Sequence, residues 1–262
     1  MQNLTPEVAM NPLDLFRMDG RTVVVTGASS GLGAGFARAL AHAGANVVIT
    51  ARREDRLAAL AEELREIGPE PAIVVADVAD PEDCTRVADA AVSAYGGIDG
   101  LVNNAGLGSA VTALKETPEG FRRLIDVNLN GTFWMAQACA ARMENGGSIV
   151  NVASVLGQVA PRYPQAAYAA SKAGVIGLTR DLAGEWSARR RIRVNALCPG
   201  YFDSEMTAGE GELLREMVAE QSMLRRFGEQ HELDTAMLFL VSPASTYVTG
   251  TTLSVDGGLT AY

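Results

Sequence analysis

Two hydrophobic periods alternate along this chain of 262 residues. Short runs rich in β-branched residues alternate with longer stretches in which apolar residues recur every three to four positions. Residues 22–26, TVVVT, form the first such run, and GASSGLGAGFARALAHAGA behind it reads as a glycine turn opening a helix. An uninterrupted apolar run suits a strand covered on both faces. Residues 47–50 (VVIT) then precede a helical stretch at 54–67, and 72–76 (AIVVA) precede one at 81–94. Residues 100–103 (GLVN) lead to a helix over 118–143, and 148–153 (SIVNVA) to one over 165–187. Residues 192–197 (IRVNAL) and 252–255 (TLSV) supply the last two strands. Strands alternating with amphipathic helices imply right-handed crossovers. The pattern therefore predicts a single doubly wound α/β domain over 21–262, with a seven-stranded parallel sheet of Rossmann type and helices on both faces. Residues 1–20, with Pro6 and Pro12, are read as an extension that packs on the domain or frays. Residues 201–228 break the alternation and are read as a lid over a site or, alternatively, a plain surface excursion.

Composition narrows the partners. A net charge of −9 argues against nucleic acid and anionic membrane surfaces, which need a basic face, and leaves a small molecule as the expected partner. No segment approaches the length of a membrane span, and no basic region precedes an apolar run at the start. Cys84, Cys139 and Cys198 lie far apart without CxxC spacing, so they are read as buried hydrophobes of a cytoplasmic protein. No metal is expected. His42 and His231 are read as ordinary helix residues, since neither adjoins a nucleophile.

Candidate chemistry sits in three places. TGASSGLG, between strand and helix, brings Gly27, Ser29, Ser30, Gly31, Leu32 and Gly33 to where a dinucleotide pyrophosphate meets a helix amino end. At the end of the second strand, where an acid would bind the ribose of NAD, stand Ala51, Arg52 and Arg53. A guanidinium fork suits the 2′-phosphate of NADP, so NADP(H) is expected, with NAD possible; the alternative is that both arginines are solvated residues opening a helix. In SVLGQVAPRYPQAAYAASK, Tyr168 and Lys172 share one helix face, one turn apart, with Ser154 upstream. An ammonium beside a phenol favours the phenolate, so a lowered Tyr168 pKa and proton exchange with a substrate are expected.

TGxxxGxG, NNAG at 103–106 and YxxxK at 168–172, together with VNLNG at 127–131, the Pro199–Gly200 pair and VTGTTLSVDGG near the end, resemble the short-chain dehydrogenase/reductase family over about 20–258. The resemblance implies Tyr168 as general acid/base, Lys172 as its modulator and a ligand of the nicotinamide ribose, Ser154 as holder of the substrate oxygen, and Asn128 in a water relay. It also implies that Asp77 and Val78 meet the adenine, and that Asn104, Ala105 and Gly106 pass near the adenosine and ribose. Pro199, Gly200, Phe202 and Ser204 would line the nicotinamide. Ser154 and Tyr168 stand one residue further apart than is common in that family, the extra residue falling in a loop with Pro161 and Pro164. A homotetramer paired through the two long helices is expected. The chemistry implied is ketone–secondary alcohol interconversion, on a 3-oxoacyl thioester or similar carbonyl or, alternatively, on a sugar, sugar acid or polyol. The rival reading is a nucleotide-binding regulatory protein without turnover.

Overall fold

The computed structural model describes residues 11–160, 163–203 and 211–261. One sheet of seven parallel strands runs through it in the order β3-β2-β1-β4-β5-β6-β7. The strands are β1 (Thr22–Thr26), β2 (Asn46–Ala51), β3 (Ala72–Val75), β4 (Gly100–Asn103), β5 (Gly147–Val152), β6 (Ile192–Pro199) and β7 (Thr252–Val255). All five β1 residues are buried, which explains why no polar residue interrupts that run. Successive residues face opposite layers. Val23 and Val25 pack under Phe36 and Leu40 of α1 (Gly31–His42), Leu57 and Leu64 of α2 (Glu54–Arg65) and Met237 of α8 (Gln230–Val241). On the other side, Val24, Leu101 and Ile149 pack under Val87 of α3 (Pro81–Tyr95), Met135 of α5 (Gly131–Ala140) and Trp186 of α6 (Ala166–Arg190).

The chain moves outward from β1 in both directions, so the crossovers after β1 and β4 part company. They open a crevice at the carboxyl ends of those two strands, the place where open α/β sheets bind ligands.

Two features differ from the sequence pattern, and residues 11–20 follow one of the two alternatives expected of them. The helix expected over 118–143 is broken into α4 (Pro118–Ile125) and α5 by one turn of π-helix, Asp126–Asn130. The wider turn lets Asn128 point fully inward, where Leu107 holds its amide at both ends. Helix α8 starts within the acidic stretch that carries His231, and the sequence pattern does not assign its extent; its signal is a capping box in which Glu229 and Glu232 each satisfy the other's backbone. Residues 11–20 pack on the domain. Met18 is 1% exposed, its amide donates to Ala43 O at 2.7 Å, and the Phe16 ring lies 6.4 Å from that of Phe239. Residues 1–10 lie outside the described residues.

Ile149 is fully buried in the centre of the sheet. Ile149→Ala is expected to cost about 2–5 kcal/mol of stability, read as a lower urea midpoint at unchanged slope.

Candidate active site

At the crevice, the loop after β1 is laced to the end of β4. Thr26 Oγ1 accepts from the amides of Asn104 and Ala105, each at 3.0 Å, while Asn104 Nδ2 donates to Thr26 O at 3.0 Å. Sequence reasoning missed Thr26, because a threonine ending a strand carries no signal beyond β propensity. The lacing brings backbones close together. A Cβ at Gly27, whose φ is +64°, would lie 2.8 Å from Ala105 Cα, and one at Gly33 would run into the Gly27 carbonyl.

Ser30 begins α1 without capping it through its side chain. Arg53 takes that hydroxyl instead, donating through Nη2 to Ser30 at 2.7 Å and to Ser29 at 3.0 Å. Arg52 turns the other way, with Nη1 3.7 Å from Asp77. The sequence offered both arginines as the phosphate fork. The structure sets Arg53 against the glycine loop and Arg52 beside the carboxylate. A helix amino end, a loop that lacks Cβ atoms at Gly27 and Gly33, and a cationic fork together suit a nucleotide carrying phosphates.

A cleft of about 790 Å³ runs from these arginines to Leu214. Its wall includes Gly27, Ser29, Ser30, Gly31, Leu32, Asp77, Val78, Asn104, Ala105 and Gly106 at one end. Ser154, Tyr168, Lys172, Pro199, Gly200 and Phe202 line the other. Gly33 and Asn128 support the wall from behind. Ser204, together with Pro161 and Met206, lies outside the described residues. Leu107, Ser109, Gln165 and Leu214 also line the cleft, and no motif had pointed to them. Leu214 belongs to α7 (Gly211–Gln221), which rests with Met217 and Val218 on Tyr163, Tyr201 and Phe227, apart from the main core.

Ser154 follows β5 and accepts from Leu156 N at 3.1 Å, opening a tight turn over Val155–Gly157. That turn touches α6 so closely that a Cβ on Gly157 would lie 2.7 Å from the Lys172 carbonyl carbon. The contact brings the Ser154 hydroxyl beside the Tyr168 phenol. Lys172 is 5% exposed; its Nζ donates to Val152 O at 2.8 Å and sits 5.8 Å from the centre of the Tyr168 ring.

Behind this group, buried hydrogen bonds leave α6 and return to it. Asn151 Nδ2 donates to Thr179 Oγ1 and Asn103 Nδ2 donates to Asn151 Oδ1, each at 3.0 Å. Asn103 also donates to Thr132 O at 3.0 Å, and Thr132 Oγ1 donates to Asn128 O at 2.8 Å. Asn128 Nδ2 closes the circuit on Ser171 Oγ at 3.0 Å.

Burial dominates the electrostatics. It pushes the Tyr168 phenol above its ordinary pKa, with Ser154 pulling in the opposite direction, and pushes Lys172 down from 10.5 to about 8. The sequence-based expectation that Lys172 lowers Tyr168 is therefore corrected for the protein alone. Desolvation outweighs the hydrogen bond from Ser154, and the same burial makes the Lys172 charge costly. The buried Cys198 thiol is pushed up to about 11, mainly by burial, and is not a nucleophile near neutrality. His231 is exposed on α8 and His42 ends α1 at the surface. Among the described residues no His, Cys, Asp and Glu group could hold a metal ion, and no helix is long and apolar enough to cross a membrane.

A family model described as enoyl-(acyl carrier protein) reductase matches residues 27–260. A galactitol 2-dehydrogenase (L-tagatose-forming) of Cereibacter sphaeroides is 42% identical over 95% of this chain and 98% of its own. A 3-oxoacyl-(acyl-carrier-protein) reductase of Thermotoga maritima is 38% identical over 93% and 99%. Among solved structures, a gluconate 5-dehydrogenase from Burkholderia cenocepacia, in complex with NADP and tartrate, superposes with a TM-score of 0.91 at 38% identity, covering 96% of this chain and 100% of that one.

The depressed Lys172 pKa has a thermodynamic signature. Between about 8 and 10.5 the unfolded chain holds a proton on this lysine and the folded one does not, so its contribution to stability rises with pH across that window. The stability difference between wild type and Lys172→Met should grow by up to about 3 kcal/mol from pH 8 to 10.5, measured by urea denaturation.

Proposed function

The chain belongs to the short-chain dehydrogenase/reductase family, oxidoreductases acting between CH–OH and C=O groups with a nicotinamide cofactor, and from that premise we propose an NADP(H)-dependent enzyme interconverting a ketone and a secondary alcohol. The observation that carries this reading is one cleft joining the Arg53–Ser29–Ser30 cluster to Ser154, Tyr168 and Lys172. Bound nicotinamide supplies or accepts the hydride. The remaining steps belong to the protein. The Ser154 hydroxyl donates to the substrate oxygen and orients it. Tyr168 gives its phenolic proton to that oxygen during reduction and takes it back during oxidation. A phenol raised by burial resists losing its proton to bulk water, so the proton stays available at Tyr168 Oη. Lys172 Nζ, held by Val152 O, keeps donors free for the ribose and for proton exchange through the Asn128 side of the cleft.

Leu107, Leu156, Tyr163, Tyr201 and Leu214 give the substrate end a largely apolar wall, which favours a ketone with an apolar flank such as a 3-oxoacyl thioester. The similarity to a galactitol dehydrogenase favours a polyol as the second reading. A regulatory protein without turnover would have no use for a buried amine beside a phenol. We further propose that residues 201–228 act as the lid, that the long helices pair subunits into a tetramer, and that the three buried free thiols fit a reducing cytoplasm.

Tyr168→Phe should lower turnover by about 10²–10⁴-fold while NADPH affinity, read by fluorescence, stays unchanged. Wild-type turnover in that variant would end the assignment. Arg53→Ala should raise KM for NADPH about tenfold or more and leave KM for NADH nearly constant, whereas Arg52→Ala should discriminate less between the two. Equal changes for both cofactors would place the phosphate site elsewhere.

A further inference from the structure

The residue before Lys172 has no role in the chemistry above, yet it joins two of its parts. Ser171 is fully buried, and its hydroxyl donates to Tyr168 O, one turn back on α6, at 2.7 Å. A serine hydroxyl has one proton, and this contact uses it. Towards Asn128 it acts only as an acceptor, and Asn128 Nδ2 donates to it at 3.0 Å. The amide oxygen must therefore point the other way. Asn128 Oδ1 accepts from Leu107 N at 2.7 Å, while Nδ2 also donates to Leu107 O at 2.9 Å.

The orientation matters because of what lies beyond. A Cβ built on Gly106 would be 3.3 Å from Asn128 Oδ1 and 3.5 Å from Lys172 Nζ, so the amide oxygen and the amine border the same small space. With the amide reversed, an NH₂ group would face an ammonium across that space, donor against donor. We propose that Ser171 is a positioning residue: by accepting from Asn128 while donating to the Tyr168 carbonyl, it holds the Asn128 oxygen towards the Lys172 amine and so stabilises the protonated amine. The proposal rests on the reading of Lys172 and Asn128 as the proton path. The other titratable groups facing this amine are Tyr168 on its own helix and Cys198 on β6, both of which stay neutral near pH 8.

Removing the hydroxyl leaves one Nδ2 proton without a partner in a fully buried place and frees the amide to tilt. Leu107 still grips it, so loosening rather than collapse is expected. The test titrates Lys172 by the ¹³Cε chemical shift of labelled lysine in the cofactor-free protein, which requires no turnover. In Ser171→Ala the midpoint should fall by about 0.5 or more, because the acceptor facing the ammonium is less well held. In parallel, kcat with NADPH and a ketone should fall about tenfold at constant KM for NADPH, with its pH limb displaced in the same direction. In an Asn128→Ala background the Ser171→Ala change should add little to either quantity. An unchanged Lys172 midpoint in Ser171→Ala, or an equal further loss in the Asn128→Ala background, would overturn the proposal. Failure of the oxidoreductase reading would appear separately, as persistent turnover in Tyr168→Phe.

Discussion

The arrangement depends on an amine kept from water at the end of a parallel sheet. Lys172 has one carbonyl partner, Val152 O, and lies beside an aromatic ring, and burial alone brings its proton affinity close to neutrality. In water such an amine would be a fixed charge. Here its charge changes over the pH range in which enzymes operate, and the phenol beside it is protected from losing its proton outward. The catalytic possibilities of the pair come from the surrounding walls as much as from the two side chains.

Those walls are built by the topology. β1 and β4 are neighbours in the sheet but send their crossovers in opposite directions, and Thr26 with Asn104 ties the two strand ends together before the loops diverge. The π turn and the inward asparagine belong to the same construction. Helix α6 is fixed at Thr179 and again at Ser171 through polar groups that have no access to water, so each hydrogen bond is costly to leave unmade. The apolar core sets where the helices lie, whereas the polar circuit sets how the Asn128 and Tyr168 turns meet.

Hydrophobic period alone located all seven strands, and residues 22–26, 100–103 and 252–255 coincide with β1, β4 and β7. β1 and β4 are buried at every residue, which leaves little freedom in where they pair. The π turn was illegible because it is caused by a distant loop, Leu107 capturing Asn128, and not by local propensity. The sequence marks His231 as a helix residue but does not give the extent of α8, because its acidic start resembles a solvated run until the reciprocal bonds of Glu229 and Glu232 are seen. Spacing brought Ser154, Tyr168 and Lys172 into view, but it could not say which of two adjacent arginines faces the glycine loop. Adjacent residues at a strand end point to opposite sides, and Asp77, which holds Arg52, comes from another strand's end. Spacing also misjudged the phenol, since it counts a nearby charge and is blind to desolvation.

The turn after Ser154 limits how this protein could change its substrate. Val155, Leu156 and Gln158 each carry a side chain, but Gly157 lies against the backbone of α6, where nothing larger than hydrogen fits without separating that helix from the turn. Divergence in this segment is thus channelled to the neighbours of a single immovable position. A lineage can reshape the mouth of the cleft while the spacing between its hydroxyl groups is inherited intact.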